Sequence, residues 1–231
     1  MQTPLPDEFL KSPIAHRALH DVARGRAENN LAAIDAAITH GFGIEIDIQQ
    51  SKDGQAMVFH DYHLDRLTAG TGPFAQRTAA ELGQLKFQSG ETGVPTLSEV
   101  LDRVAGRAPL LIEIKDQDGV MGSNVGPLER EVARALQGYT GPVAVMSFNP
   151  HAVAVMAQAA PRIARGITTC DYNATDWALL KEDTRAHLRE VPDYDRVGAS
   201  FISHQWRDLS AKRVSELKQA GARVLCWTVR S

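Results

Sequence analysis

Cysteine is scarce in this chain, and that scarcity narrows the field. Only Cys170 and Cys226 occur among 231 residues. Their spacing suits no metal site, so both are expected as reduced thiols. No apolar run approaches the roughly 18 residues that a membrane span needs. The opening stretch, Met1-Gln2-Thr3-Pro4-Leu5-Pro6-Asp7-Glu8, lacks the basic and apolar regions of a signal peptide. There is no basic surplus either: the formal net charge is -3, which argues against a nucleic-acid partner. No GxGxxG or Walker pattern opens a helix, so a dinucleotide or P-loop site has no support. These absences point to a cytoplasmic protein with a small-molecule ligand and no stable membrane insertion. They leave the oligomeric state open.

What is present is an alternation of strands and helices. Apolar strands are expected at Ile14 to Arg17, Gly43 to Gln49, Met57 to His60, Leu110 to Lys115, Val143 to Phe148, Ile163 to Ile167, Val197 to Ser203 and Val224 to Val229. Helical periodicity marks Asn29 to His40, Leu97 to Val104, Leu128 to Leu136, His151 to Ala159 and Ser210 to Ala220. Thr96 with Glu99 makes a capping box for the second of these. Lys52-Asp53-Gly54-Gln55 reads as a hairpin turn. Asp61 to Pro95 is rich in turn formers and reads as an insertion. Thr168 to Asp195 is irregular, with a short helix expected around Trp177 to Lys181.

Apolar strands joined by helices demand a parallel sheet. Their number and the charges inside them favour a TIM-type (β/α)8 barrel over an open sheet. The expected domain is a single one over residues 1–231, with the insertion at about 61–95. The count stops at seven main strands. An eighth is therefore expected from residues after Ser231 or from a partner chain.

Two strands carry the chemistry. Side chains alternate faces along a strand, so Glu45 and Asp47 share one face, as do Glu113 and Lys115. Isoleucines take the opposite face of each. Three carboxylates on inner strand faces are costly unless a counter-charge compensates them. One divalent cation, Ca²⁺ or Mg²⁺, suits such hard oxygen donors. The competing reading is a buried ion-pair cluster without function. Two such strands with histidines beside each favour the cation. Two histidines near it can act as general acid and base. Arg17 and Lys115 can hold a phosphate. The combination fits metal-assisted phosphodiester cleavage.

The residues in order carry a resemblance. Ile14-Ala15-His16-Arg17, Ala27-Glu28-Asn29, Gly43 to Gln49, His60-Asp61 and Leu64-Asp65-Arg66 resemble the glycerophosphodiester phosphodiesterase family. Pro95 to Val100, Ile112-Glu113-Ile114-Lys115 and Trp227-Thr228-Val229 continue the pattern. The resemblance implies a TIM barrel with an insertion after its second strand. It implies hydrolysis of glycerophosphodiesters to an alcohol and glycerol 3-phosphate. His16 and His60 would be the acid/base pair, and Glu45, Asp47 and Glu113 would bind the cation. Arg17 and Lys115 would hold the phosphate, Glu28 would line the site, and Trp227 would pack against the substrate. The pattern departs where the family has Gly after His-Arg and this chain has Ala18. Two alternatives stay open: a phospholipase D-like enzyme acting on lysophospholipid or sphingolipid head groups, and a non-catalytic phosphate-binding barrel. Asp61 reads equally as a partner that orients His60 or as a turn cap. His20, His40, His63, His151, His187 and His204 read as surface or loop residues, and Trp177 and Trp206 as packing.

Overall fold

A computed structural model describes residues 2–230. In chain order the elements are β1 (Ile14–Ala15), α1 (Leu31–Thr39), β2 (Gly43–Gln50), β3 (Ala56–Val58), α2 (Ala79–Gln84), α3 (Leu97–Val104), β4 (Leu110–Ile114), α4 (Pro127–Ala135), β5 (Val143–Ser147), α5 (Pro150–Ala159), β6 (Ala164–Thr169), α6 (Glu182–Arg189), β7 (Phe201–Gln205), α7 (Lys212–Gln219) and β8 (Arg223–Trp227). This is the expected series of parallel strands with helical connections. Among the described residues, β3 alone runs antiparallel to its neighbour. No described helix is long and apolar enough to cross a membrane. The described residues form two compact units, taken here in turn.

The first unit comprises Pro6–Lys115 and Pro127–Val143. Its sheet pairs β1 with β2 and β2 with β4 in parallel, and folds β3 back onto the end of β2. Ile44, Ile46 and Ile48 are fully buried, as the alternation requires. Register then sets Asp47 opposite Glu113 and Glu45 opposite Leu111. Helix α1 starts two residues later than expected. Asn30 caps it, accepting from the Ala33 N–H at 2.8 Å, while Asn29 stands outside it at φ 60°. The capping box on α3 forms as expected, with Thr96 and Glu99 bonded reciprocally.

The stretch from Asp61 to Pro95 holds one helix that its turn-rich composition hides, α2, with its own capping box of Thr78 and Glu81. It builds a satellite core around Met57, Phe59, Leu64, Phe74, Leu82 and Phe87. Phe59 stacks on Phe74 with ring centroids 4.8 Å apart. Burial of one such ring is worth about 1.5–3 kcal/mol. That core fixes the chain on either side of His60.

The second unit takes the remaining described residues. Its strands run parallel in the order β5, β6, β7, β8. Gly166 in β6 lies against the Phe201 ring, and an added Cβ would come within 2.3 Å of it. Val153, Ile167, Val197 and Ile202 sit in the core beneath. The short helix expected around Trp177 is a turn; the helix, α6, begins five residues later, at Glu182. Trp177 instead packs its ring on Phe148 and Tyr172.

Candidate active site

The first unit gathers its charged residues where β1, β2 and β4 end. β1 stops at Ala15 because the next turn is left-handed: Arg17 has φ 56° and Ala18 φ 62°. Two consecutive non-glycine residues there are strained, each by about 1–2 kcal/mol. The turn aims the Arg17 N–H at Glu45, whose Oε2 accepts it at 2.7 Å, and the Ala18 N–H bonds the Glu45 carbonyl at 2.9 Å. A glycine in place of Ala18, which the resemblance would imply, adopts this backbone without that strain.

Glu45, Asp47 and Glu113 are 4%, 1% and 6% exposed. They bring carboxylate oxygens within 4.8 Å of one another. Lys115 Nζ bonds Asp47 Oδ1 at 2.8 Å and Glu113 Oε1 at 2.5 Å. Asn29 donates from Nδ2 to Asp47 Oδ2 at 2.8 Å and accepts from the Asp47 N–H at 3.2 Å. The left-handed backbone of Asn29 makes that two-sided grip reachable. Burial pushes the Glu45 carboxyl well up, and the charges of Asp47 and Glu113 push it further. Burial also works against ionised Asp47, but Lys115, His60 and Arg17 outweigh it and hold that group low. The Lys115 ammonium is desolvated, yet Asp47 and Glu113 keep it charged. The set is therefore short of positive charge. Its hard donors, with Glu45 driven towards protonation, fit a divalent cation.

Around this cluster lies the second half of the site. Burial, with the charge of Arg17 next, lowers the half-buried His16 to about 4, against the pull of Asp47. Its imidazole is neutral at neutral pH. Gln49 donates to the His60 carbonyl at 3.0 Å, and His60 Nδ1 lies 2.6 Å from Asp61 Oδ1. Burial would raise Asp61, but its bonds to His60 and Arg66 hold it well below the carboxylate range. Because Asp61 is ionised, it favours the His60 tautomer that carries its proton on Nδ1. Glu28 accepts from Arg17 Nη1 at 2.9 Å and from Arg66 at 2.7 and 2.9 Å. Those bonds outweigh its burial and keep it ionised. Arg17 Nε is buried and makes no hydrogen bond among the described residues; Asp47 Oδ2 is 3.7 Å away.

His16, Arg17, Glu28, Glu45, Asp47, His60, Glu113 and Lys115 thus all belong to one unit and act on one another. Trp227 belongs to the other unit, at the end of β8. Its ring meets Phe148 edge-on at 5.5 Å and its Nε1 donates to the Ser203 carbonyl at 3.0 Å. Asn29 and Arg66, which sequence reasoning passed over as site residues, are tied into the network, and Asp61 is settled as the partner of His60. The signal for Asn29 was its place between Glu28 and the helix cap, where asparagine tolerates positive φ. Arg66 was read only as part of the Leu64-Asp65-Arg66 stretch; its pairing with Glu28, 38 positions away, left no sequence signal.

A model of the glycerophosphoryl diester phosphodiesterase family matches residues 16–231. The chain is 29% identical over 205 residues to a glycerophosphodiester phosphodiesterase of Bacillus subtilis, covering 81% of this chain and 67% of that protein. A phosphodiesterase of Oleispira antarctica, solved in complex with the product sn-glycerol-3-phosphate, superposes with TM-score 0.76 at 25% identity, over 95% of this chain and 85% of that one. A glycerophosphodiester phosphodiesterase of Agrobacterium tumefaciens superposes with TM-score 0.69 at 25% identity, over 95% and 87%.

Proposed function

The chain belongs to the glycerophosphoryl diester phosphodiesterase family, and we propose that it hydrolyses glycerophosphodiesters to an alcohol and glycerol 3-phosphate with the residues just described. The observation that carries this reading is one cluster holding three buried carboxylates, two cations and two histidines. The relative solved with sn-glycerol-3-phosphate supports the same product.

Glu45, Asp47 and Glu113 would hold one divalent cation, Ca²⁺ or Mg²⁺. When bound, it supplies positive charge for the non-bridging oxygens of the phosphodiester. Arg17 and Lys115 set two fixed positive charges beside the same oxygens. His16, neutral at neutral pH, takes the proton of the attacking hydroxyl, either water or the glycerol hydroxyl next to the ester; the second route gives a cyclic phosphate that water then opens to glycerol 3-phosphate. His60 acts as the imidazolium: held through Nδ1–H by Asp61, it delivers its second proton, on Nε2, to the departing alkoxide.

The test is release of glycerol 3-phosphate from a panel of glycerophosphodiesters with added Ca²⁺ or Mg²⁺. Turnover that stops in chelator and returns with the ion supports the reading. Full turnover in chelator, or none on any member of the panel with either ion, overturns it.

A further inference from the structure

We propose that Arg66 is a positioning residue for this reaction, one guanidinium that holds His60 and Arg17 in place through the two carboxylates behind them. The inference rests on the functional reading above and concerns a residue that reading leaves unused. Arg66 follows β3 on a turn anchored by fully buried Leu64, whose carbonyl accepts from the Thr68 N–H at 3.0 Å. The guanidinium faces two carboxylates at once. Nε and Nη2 bond Asp61 at 2.6 and 2.8 Å, and Nη2 and Nη1 bond Glu28 at 2.7 and 2.9 Å. Four of its five N–H donors are used in two forked pairs, a geometry only arginine supplies. Each carboxylate passes the constraint inward: Asp61 grips His60 Nδ1, and Glu28 grips Arg17 Nη1.

Charge explains why a cation must stand there. Donor atoms of Glu28, His60 and Asp61 lie within 4.8 Å of one another, a donor set that could itself attract a metal ion. In this chain the guanidinium of Arg66 supplies that positive charge. Without it two ionised carboxylates would repel, and either could relax only by letting go of His60 or of Arg17. An exposed pair of this kind is ordinarily worth little to stability. Arg66 is 48% exposed on its side chain, so its effect is expected in catalysis more than in folding.

The experiment compares wild type, Arg66→Ala, Arg66→Lys, Asp61→Asn and the Asp61→Asn/Arg66→Ala double variant, all saturated with the supporting ion. Arg66→Ala should lower kcat by about 10- to 100-fold, the range seen when an outer-shell partner is removed. The double variant should lose little more than the worse single one, since both cut one chain of bonds. Guanidinium ion at millimolar concentration should restore part of kcat in Arg66→Ala and a smaller part in the double variant, where only the Glu28 arm remains to accept it. Arg66→Lys should recover less than half of the loss. In ¹⁵N-histidine spectra recorded at a pH where His60 is neutral, it should be a single Nδ1–H tautomer in wild type and a mixture in Arg66→Ala. That last reading needs no turnover, so it separates this inference from the functional one. Wild-type kcat in Arg66→Ala, fully multiplicative losses in the double variant, or an unchanged His60 tautomer would each overturn the role.

Discussion

Asp47 and Glu113 stand directly opposite each other on adjacent parallel strands, and one ammonium, Lys115, bonds both. Two buried carboxylates in register are unfavourable by themselves. Lys115 answers part of that charge, and Glu45 adds more. The site is thus built to want a further cation. Glu45→Gln or Glu113→Gln should remove measurable turnover and weaken cation binding together. Calorimetric titration of Ca²⁺ or Mg²⁺ beside the activity assay checks this. Wild-type ion affinity in both variants would contradict it.

The two histidines are expected to fail differently from the carboxylates. His16→Ala and His60→Ala should each lose about 10²–10⁴ in rate with ion affinity unchanged. Because burial lowers His16 to about 4, it acts as a base only above that pH. Activity should rise with pH through that region, so the acid limb of kcat/KM lies nearer 4 than the ordinary 6.5 of histidine. An acid limb at 6.5 that vanishes in His16→Ala would show that burial does not lower this base, and a limb unchanged in the residual activity of His16→Ala would refute its role.

Ala18 tests the left-handed turn. It is 2% exposed at φ 62°. Glycine there relieves about 1–2 kcal/mol of backbone strain, but loses a buried methyl worth about 0.8 kcal/mol and gains chain entropy when unfolded. These nearly cancel, so Ala18→Gly should stay within about 1 kcal/mol of wild type in urea unfolding. Ala18→Val, β-branched at positive φ, should lose more than about 2 kcal/mol and most activity with it. Equal stability of the two variants would show that the turn is not the constraint.

Acid should loosen the Arg66 network. Glu28 and Asp61 are both held below their ordinary range by Arg66 and its neighbours. A carboxylate whose folded value is depressed adds stability above its unfolded value, near 4, and loses it as pH falls through the folded one. The melting temperature of wild type should therefore drop more steeply between pH 5 and 3 than that of Arg66→Met, measured in chelator for both. Parallel curves would rule out that contribution.

Alternation in Ile44 to Ile48 and Leu111 to Lys115 is a local property, and it was enough to put Glu45 with Asp47 and Glu113 with Lys115 on shared faces, where the structure brings the four together. The capping box at Thr96 was local too, and α3 begins and ends as it requires. The order of strands and helices, and through it the parallel fold and the family, followed from the same short-range patterns. Helices α2 and α6 escaped because each is short and set in turn-rich or polar sequence, where periodicity is weak. The tertiary structure alone decided the rest. It brought Arg66 to Glu28 and turned Asn29 out of α1 to grip Asp47. Those partners are set by where loops return in space and by buried charge seeking compensation, and no period in the sequence encodes either.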